Sequence, residues 1–137
     1  MAFFKRQDIG RIYVIKLVLP DDCVVHKIGM TNSNRTTDRM MEIARSWFMA
    51  YRFLPYAELR LDMECSCPLE LEQHMHKILK DKKFIPNEKV DGGTEMFTDI
   101  NEFRVLHYLR SFNDELLRTP LKLKDEDYKN LCQLISP

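Results

Sequence analysis

Glu72 and His76 stand four residues apart in a segment whose apolar residues recur at helical spacing, so a carboxylate and an imidazole share one helix face. Such a carboxylate is a hard-oxygen ligand of the sort magnesium takes together with waters and substrate phosphate oxygens. His76 can orient Glu72 or serve as an acid near neutral pH. Upstream, Tyr13 and Lys27 fall in two short alternating runs, and Arg39 follows on another helical segment. A phenol, with an ordinary pKa of about 10, is a poor base at neutral pH, and a neighbouring ammonium such as Lys27 favours its phenolate. Lys27 can equally share the proton transfer or bind a phosphate itself, while Arg39 suits bidentate phosphate contact. A rival set, Cys65-x-Cys67 with His74-x-His76, has zinc-ligand residue types. Its one-residue gaps are shorter than the usual zinc spacing, and His74 and His76 point to different sides of a helix.

Those side chains need strands and helices to hold them. Residues 11–19 alternate, with Ile12, Val14 and Lys16 on one face and Tyr13, Ile15 and Leu17 on the other, which predicts a strand. Pro20-Asp21-Asp22 turns the chain, and residues 23–30 form the antiparallel partner. Gly29, near its end, lets a ligand or another backbone come close. Thr36 or Thr37 caps a helix reaching about residue 51, with Met40, Ile43, Ala44, Trp47 and Phe48 at helical spacing. Residues 52–61 alternate again, and Pro55 marks that strand as an edge or a bulge. Ser66 and Pro68 open a second helix over residues 68–82 that buries Leu71, Met75, Ile78 and Leu79. A short apolar segment follows at 94–98. Asp99 then caps a third helix to about residue 117, with Phe103, Leu106, Leu109, Phe112 and Leu116 inward, and residues 125–135 make a last one. The expected fold is α/β of the α+β kind: a small central mixed or antiparallel sheet of three to four strands, flanked by helices, with extra helices at the C-terminus.

A chain of 137 residues makes one domain and buries about two-thirds of its unfolded surface. No apolar run approaches the ~18 residues of a membrane helix, and the N-terminal Met-Ala-Phe-Phe-Lys-Arg-Gln-Asp lacks a secretory apolar core. The expectation is a cytoplasmic protein, neither secreted nor membrane-bound, with its four cysteines reduced. Basic and acidic residues balance at 21 each, yet up to Arg60 the basic ones predominate, which allows a basic face.

Gly10-Arg11-Ile12-Tyr13-Val14-Ile15, a hairpin, Lys27-Ile28-Gly29-Met30-Thr31 and then Arg39 together resemble the GIY-YIG nuclease superfamily. Lys27 stands where the second motif usually has a tyrosine, and lysine-isoleucine-glycine at this place is similar to a phage and virus branch. "LELEQHMHKIL" is similar to that branch's helix carrying Glu72 and His76, and "GGTEMF" to its closing segment with Glu95 and Phe97. The order of motifs spans residues 10–99. The resemblance implies a nuclease core over 1–99 and a helical extension, 100–137, packed on it. It also implies a metal-dependent DNA endonuclease or nickase with one Mg2+ (or Mn2+) ion per site. Tyr13, Lys27, Arg39 and His76 are then catalytic, Glu72 the metal ligand, and Gly29, Thr31 and Arg35 substrate-binding. DNA is the implied partner, with a homodimer or a partner protein selecting the target; in a viral setting the compartment is the host cytoplasm or nucleus.

Family members often carry a histidine one turn after the arginine, where this chain has Ile43, leaving His26, His74 and His76 as the candidate acids. Glu95, before a buried aromatic, reads as structural. The alternative to an enzyme is the same fold kept as a DNA-binding or protein-interaction module. An inhibitor acting through the C-terminal helices is a third class.

Overall fold

The computed structural model describes residues 10–31, 35–65, 68–90, 93–112 and 124–137. Alternation of apolar residues makes β1 (Gly10–Val18) and β2 (Val24–Thr31) a hairpin in which Tyr13 faces Gly29 and Ile15 faces Lys27. The turn closes with Asp22 in the left-handed region (φ 64°), its N–H donating to Leu19 O at 2.9 Å, and Asp21 Oδ1 accepting the Cys23 N–H at 3.0 Å. On the other side of β1 lies β3 (Tyr56–Cys65), with a register shift at Val14/Ile15, and β4 (Met96–Phe97) pairs with His26 and Lys27 of β2. The four strands run β3-β1-β2-β4 and every pairing is antiparallel, so the sheet is not mixed.

Both faces of the sheet are covered. Helix α1 (Thr36–Tyr51) lays Ile43 and Trp47 over Tyr13, Ile15, Leu17 and Val25. On the opposite face Ile12, Val14, Ile28 and Leu61 meet α2 (Pro68–Ile78), α3 (Glu102–Phe112) and α4 (Asp125–Leu134). Leu71, Met75, Val105, Leu109 and Tyr128 fill one core with the strands, so the C-terminal helices belong to the same packed body as the sheet. Among the described residues no helix is long and apolar enough to cross a membrane.

Several expectations shift. The third strand starts at Tyr56, not Arg52, because Arg52 adopts a left-handed helix cap (φ 64°) and Phe53 joins Trp47 and Tyr51 in an aromatic cluster. Neither Thr36 nor Thr37 caps α1: Arg35 is the cap residue, and the Thr36 hydroxyl donates to Asp62 Oδ1 at 2.9 Å. Helix α2 ends at Ile78, followed by a 3-10 turn over Lys80–Lys82. Helix α3 starts at Glu102, with Asn101 Oδ1 accepting the Arg104 N–H at 3.1 Å in place of the expected Asp99 cap. That phase buries Val105, Leu106 and Leu109 and leaves Phe103, expected inward, 80% exposed, about a third of a turn off the stripe. The Ser66 cap and the inward Leu116 lie outside the described residues, and so does the side chain of Phe112.

Buried neutral histidines give the fold a pH dependence. Burial, with Lys77 adding to it, holds His74 down to about 4, and its Nε2 lies 2.6 Å from the Tyr108 hydroxyl. An unfolded histidine protonates near pH 6.5, so between these values the unfolded chain binds more protons and stability falls as pH falls. From pH 7 to pH 5 the wild type should lose about 2 kcal/mol more than His74→Gln, which keeps a partner for Tyr108 without titrating. Urea unfolding at both pH values measures this, and equal losses would show that His74 is not the source.

Candidate active site

Tyr13 and Lys27 meet over the backbone of Gly29. A Cβ on Gly29 would stand 2.6 Å from Tyr13 Oη, 2.7 Å from its Cζ and 3.0 Å from Lys27 Nζ, so the position admits only glycine without displacement. The strand pairing accounts for this, because Tyr13, Lys27 and Gly29 share the face that α1 covers. Arg39, in the first turns of α1, donates a hydrogen bond to the Tyr13 hydroxyl and another to Glu42 Oε2 at 2.5 Å. Glu42 Oε1 accepts from Arg35 at 2.9 Å.

Glu72 reaches the same place from the other side of the sheet. Strand β4 pairs with only two residues of β2, and beyond it the side chains of α2 take over the strand's backbone groups. His76 Nε2–H donates to Ile28 O at 2.8 Å, and Glu72 accepts the Met30 N–H. Four residues of helix rise about 6 Å and two residues of strand about 6.7 Å, so a pair at i and i+4 matches alternate groups along the strand. The spacing of Glu72 and His76 is therefore explained by the edge it caps. His76 also packs against Phe97, with ring centroids 5.2 Å apart.

Burial dominates the electrostatics. It pushes Tyr13 above the ordinary phenol range, against the pull of Arg39, so the phenol is neutral and Lys27 does not deliver the expected phenolate. Lys27 is completely buried, and burial pushes its ammonium down to about 8, opposed by Glu72. The Glu95 carboxylate, in contact with Nζ, also favours the charged form. Glu72 is raised by burial, with Lys27 and the Met30 N–H opposing. Burial thus brings Lys27 towards the range in which it can exchange its proton.

Four of the expected site residues lie together: Tyr13 and Lys27 meet over Gly29, Arg39 bonds Tyr13, and Glu72 interacts electrostatically with Tyr13 and Lys27. Thr31 is buried at the end of β2, and Arg35 is exposed beside Glu42 and Asp38. His76 is committed to the Ile28 carbonyl, which makes it a positioning residue. His26 and His74 are turned away: His26 Nε2 lies 3.0 Å from Glu102 on the opposite face, and Ile43 is core. His74 and His76 have separate partners, and no cluster of three metal-ligating side chains exists among the described residues; Cys67 of the rival zinc set lies outside them. Sequence reasoning missed Glu42 and the contact of Glu95 with Lys27. The sequence held no signal for the latter, because Glu95 is brought to Lys27 by the pairing of Met96 with Lys27 in the folded sheet. A single buried carboxylate is a sparse donor set that fits magnesium in the mode where waters and substrate oxygens complete the shell. No family model, curated protein or solved structure matches this chain.

Proposed function

We propose that this chain is a metal-dependent DNA endonuclease or nickase of the GIY-YIG kind. The observation that carries it is that Tyr13 and Lys27, from two strands, meet over Gly29, where a side chain cannot fit, while Arg39 from α1 bonds the Tyr13 hydroxyl and Glu72 from α2 lies close enough for its charge to act on Tyr13 and Lys27. Glu72 would hold a magnesium ion, which when bound supplies positive charge to the phosphate oxygens. Arg39 binds a non-bridging phosphate oxygen and keeps its hydrogen bond to Tyr13 Oη, which lowers the cost of a phenolate there. Lys27, whose ammonium burial pushes down to about 8, takes the Tyr13 proton in its neutral form, and the phenolate takes one from the attacking water. The water oxygen bonds to phosphorus, the bond to the leaving oxygen breaks, and that oxygen takes a proton from solvent.

Affinity comes from phosphate contacts and weakens with salt. One such centre nicks, and a double-strand cut needs two. Supercoiled plasmid incubated with magnesium should be converted to open circles by the wild type, and Tyr13→Phe should be slower by roughly 10²-fold or more. A non-catalytic DNA-binding or interaction module is the second reading, favoured by one observation: both cations already face carboxylates, Lys27 facing Glu95 and Arg39 facing Glu42. Plasmid left intact by the wild type across magnesium, manganese and several substrates sinks the nuclease reading, and salt-sensitive retardation of DNA without cleavage then supports a DNA-binding module.

A further inference from the structure

Two cations of the site are paired with carboxylates, and the two pairs differ in access. Lys27 has no accessible surface, so no anion from solvent can take the place of Glu95 on it without opening the core. Arg35, Arg39 and Glu42 are reachable, with side chains 55%, 30% and 38% exposed. Arg35 caps α1, and Arg39 and Glu42 follow four and then three residues on, so the three share one strip of the helix. Glu42 spans the two guanidinium groups with one carboxylate oxygen on each: Oε1 accepts from Arg35 at 2.9 Å and Oε2 from Arg39 at 2.5 Å. Asp38 stands farther off, 3.9 Å from Arg35 Nε. Because Arg39 also donates to the Tyr13 hydroxyl, this bridged pair of cations adjoins the phenol.

Two guanidinium groups joined through two oxygens of one anion form an arrangement that suits a phosphate, since the guanidinium fork matches carboxylate and phosphate oxygens alike. The Glu42 carboxylate stands where such a phosphate would bind. It is also replaceable, because exposed ion pairs contribute little to stability and are screened by salt. We propose that Glu42 is an internal competitor for phosphate: it closes an anion site formed by Arg35 and Arg39, and an incoming phosphate group opens that site by displacing it.

The competition predicts a sign. Removing the charge of Glu42 frees both guanidinium groups and strengthens anion binding. If Glu42 merely oriented Arg39, its loss would release that side chain and weaken anion binding. The phosphate comes either from a nucleic-acid strand or from a free anion. Only the strand version rests on the proposed nuclease function.

Calorimetric titration of the full chain at low salt, with inorganic phosphate and with a short single-stranded oligonucleotide, reads the competition. Glu42→Gln keeps the size of the side chain and should bind both roughly fivefold tighter than wild type. Glu88→Gln makes the same change of charge at an exposed position near the other end of α1, where the Glu88 N–H donates to Tyr51 Oη, and should bind like wild type. Adding Arg35→Ala to Glu42→Gln should cancel the gain. An oligonucleotide that binds tighter than inorganic phosphate makes a strand the source, and one that binds no tighter makes it a free anion. Unchanged or weaker phosphate binding by Glu42→Gln overturns the proposal. So does an equal gain in Glu88→Gln, or the absence of saturable binding in every protein. Tighter binding by Glu42→Gln in a protein that never nicks sinks the nuclease reading alone. Nicking by a wild type whose phosphate affinity Glu42→Gln does not raise sinks this one alone.

Discussion

Gly29→Ala should give a folded chain with at least about 10²-fold less cleavage, the scale expected for a misplacement of reacting groups by about 1 Å. The added methyl would stand 2.6 Å from Tyr13 Oη, and the ring cannot swing aside, because it is 1% exposed and packed in the core beneath α1. Either the phenol or β2 must shift, and overpacking of this kind costs about 1–3 kcal/mol. Gly93→Ala is the contrast away from the site: its Cβ would meet Val90 Cγ2 at 3.3 Å, so Val90 must give by a few tenths of an ångström, and cleavage should change little whatever that does to stability. Thermal unfolding beside plasmid nicking reads both effects, and a Gly29→Ala protein that cuts like wild type removes the close approach from the mechanism.

Glu72 separates charge from scaffold. Glu72→Gln keeps an oxygen for the Met30 N–H but loses the charge that would hold magnesium, so cleavage should vanish while the fold remains. Burial raises the Glu72 pKa in the folded state, so its contribution to stability is present at acid pH and lost as pH rises through that raised value. At pH 7 the glutamine protein should therefore be at least as stable as wild type, with Glu95 still facing Lys27. Glu72→Ala also leaves a buried backbone N–H without its acceptor and should lose about 1–3 kcal/mol. Urea unfolding of the three proteins at pH 7, with nicking assays alongside, tests both parts. A glutamine variant that nicks normally would falsify the assignment of Glu72 as metal ligand.

Much of this geometry was written in short-range pattern. The two-residue period of β1 and β2 put Tyr13, Lys27 and Gly29 on one face, and the four-residue steps on α1 aligned Arg39 with Ile43 and Trp47. What the pattern left out was long-range or a matter of phase. Glu95 meets Lys27 across nearly half the chain, and no local periodicity records that pairing. Arg52 and Phe53 extend the alternation of the third strand on paper, yet a helix cap and an aromatic cluster claim them. Phe103 has the residue type of a core position but not the phase that the Asn101 cap imposes. The pair at 72 and 76 was legible as one face of a helix, and its reason emerged only from the strand edge beside it.

That edge has a consequence for the protein's solubility. A strand with unpaired N–H and C=O groups is a template on which another chain can add, the usual route to edge-to-edge aggregation. Strand β4 covers only two residues of β2, and Glu72 and His76 occupy the backbone groups beyond it, where a foreign strand would bind. The carboxylate that would draw a metal ion to the site is thus also a guard against self-assembly, and relieving the site of Glu72 opens β2 to a neighbour.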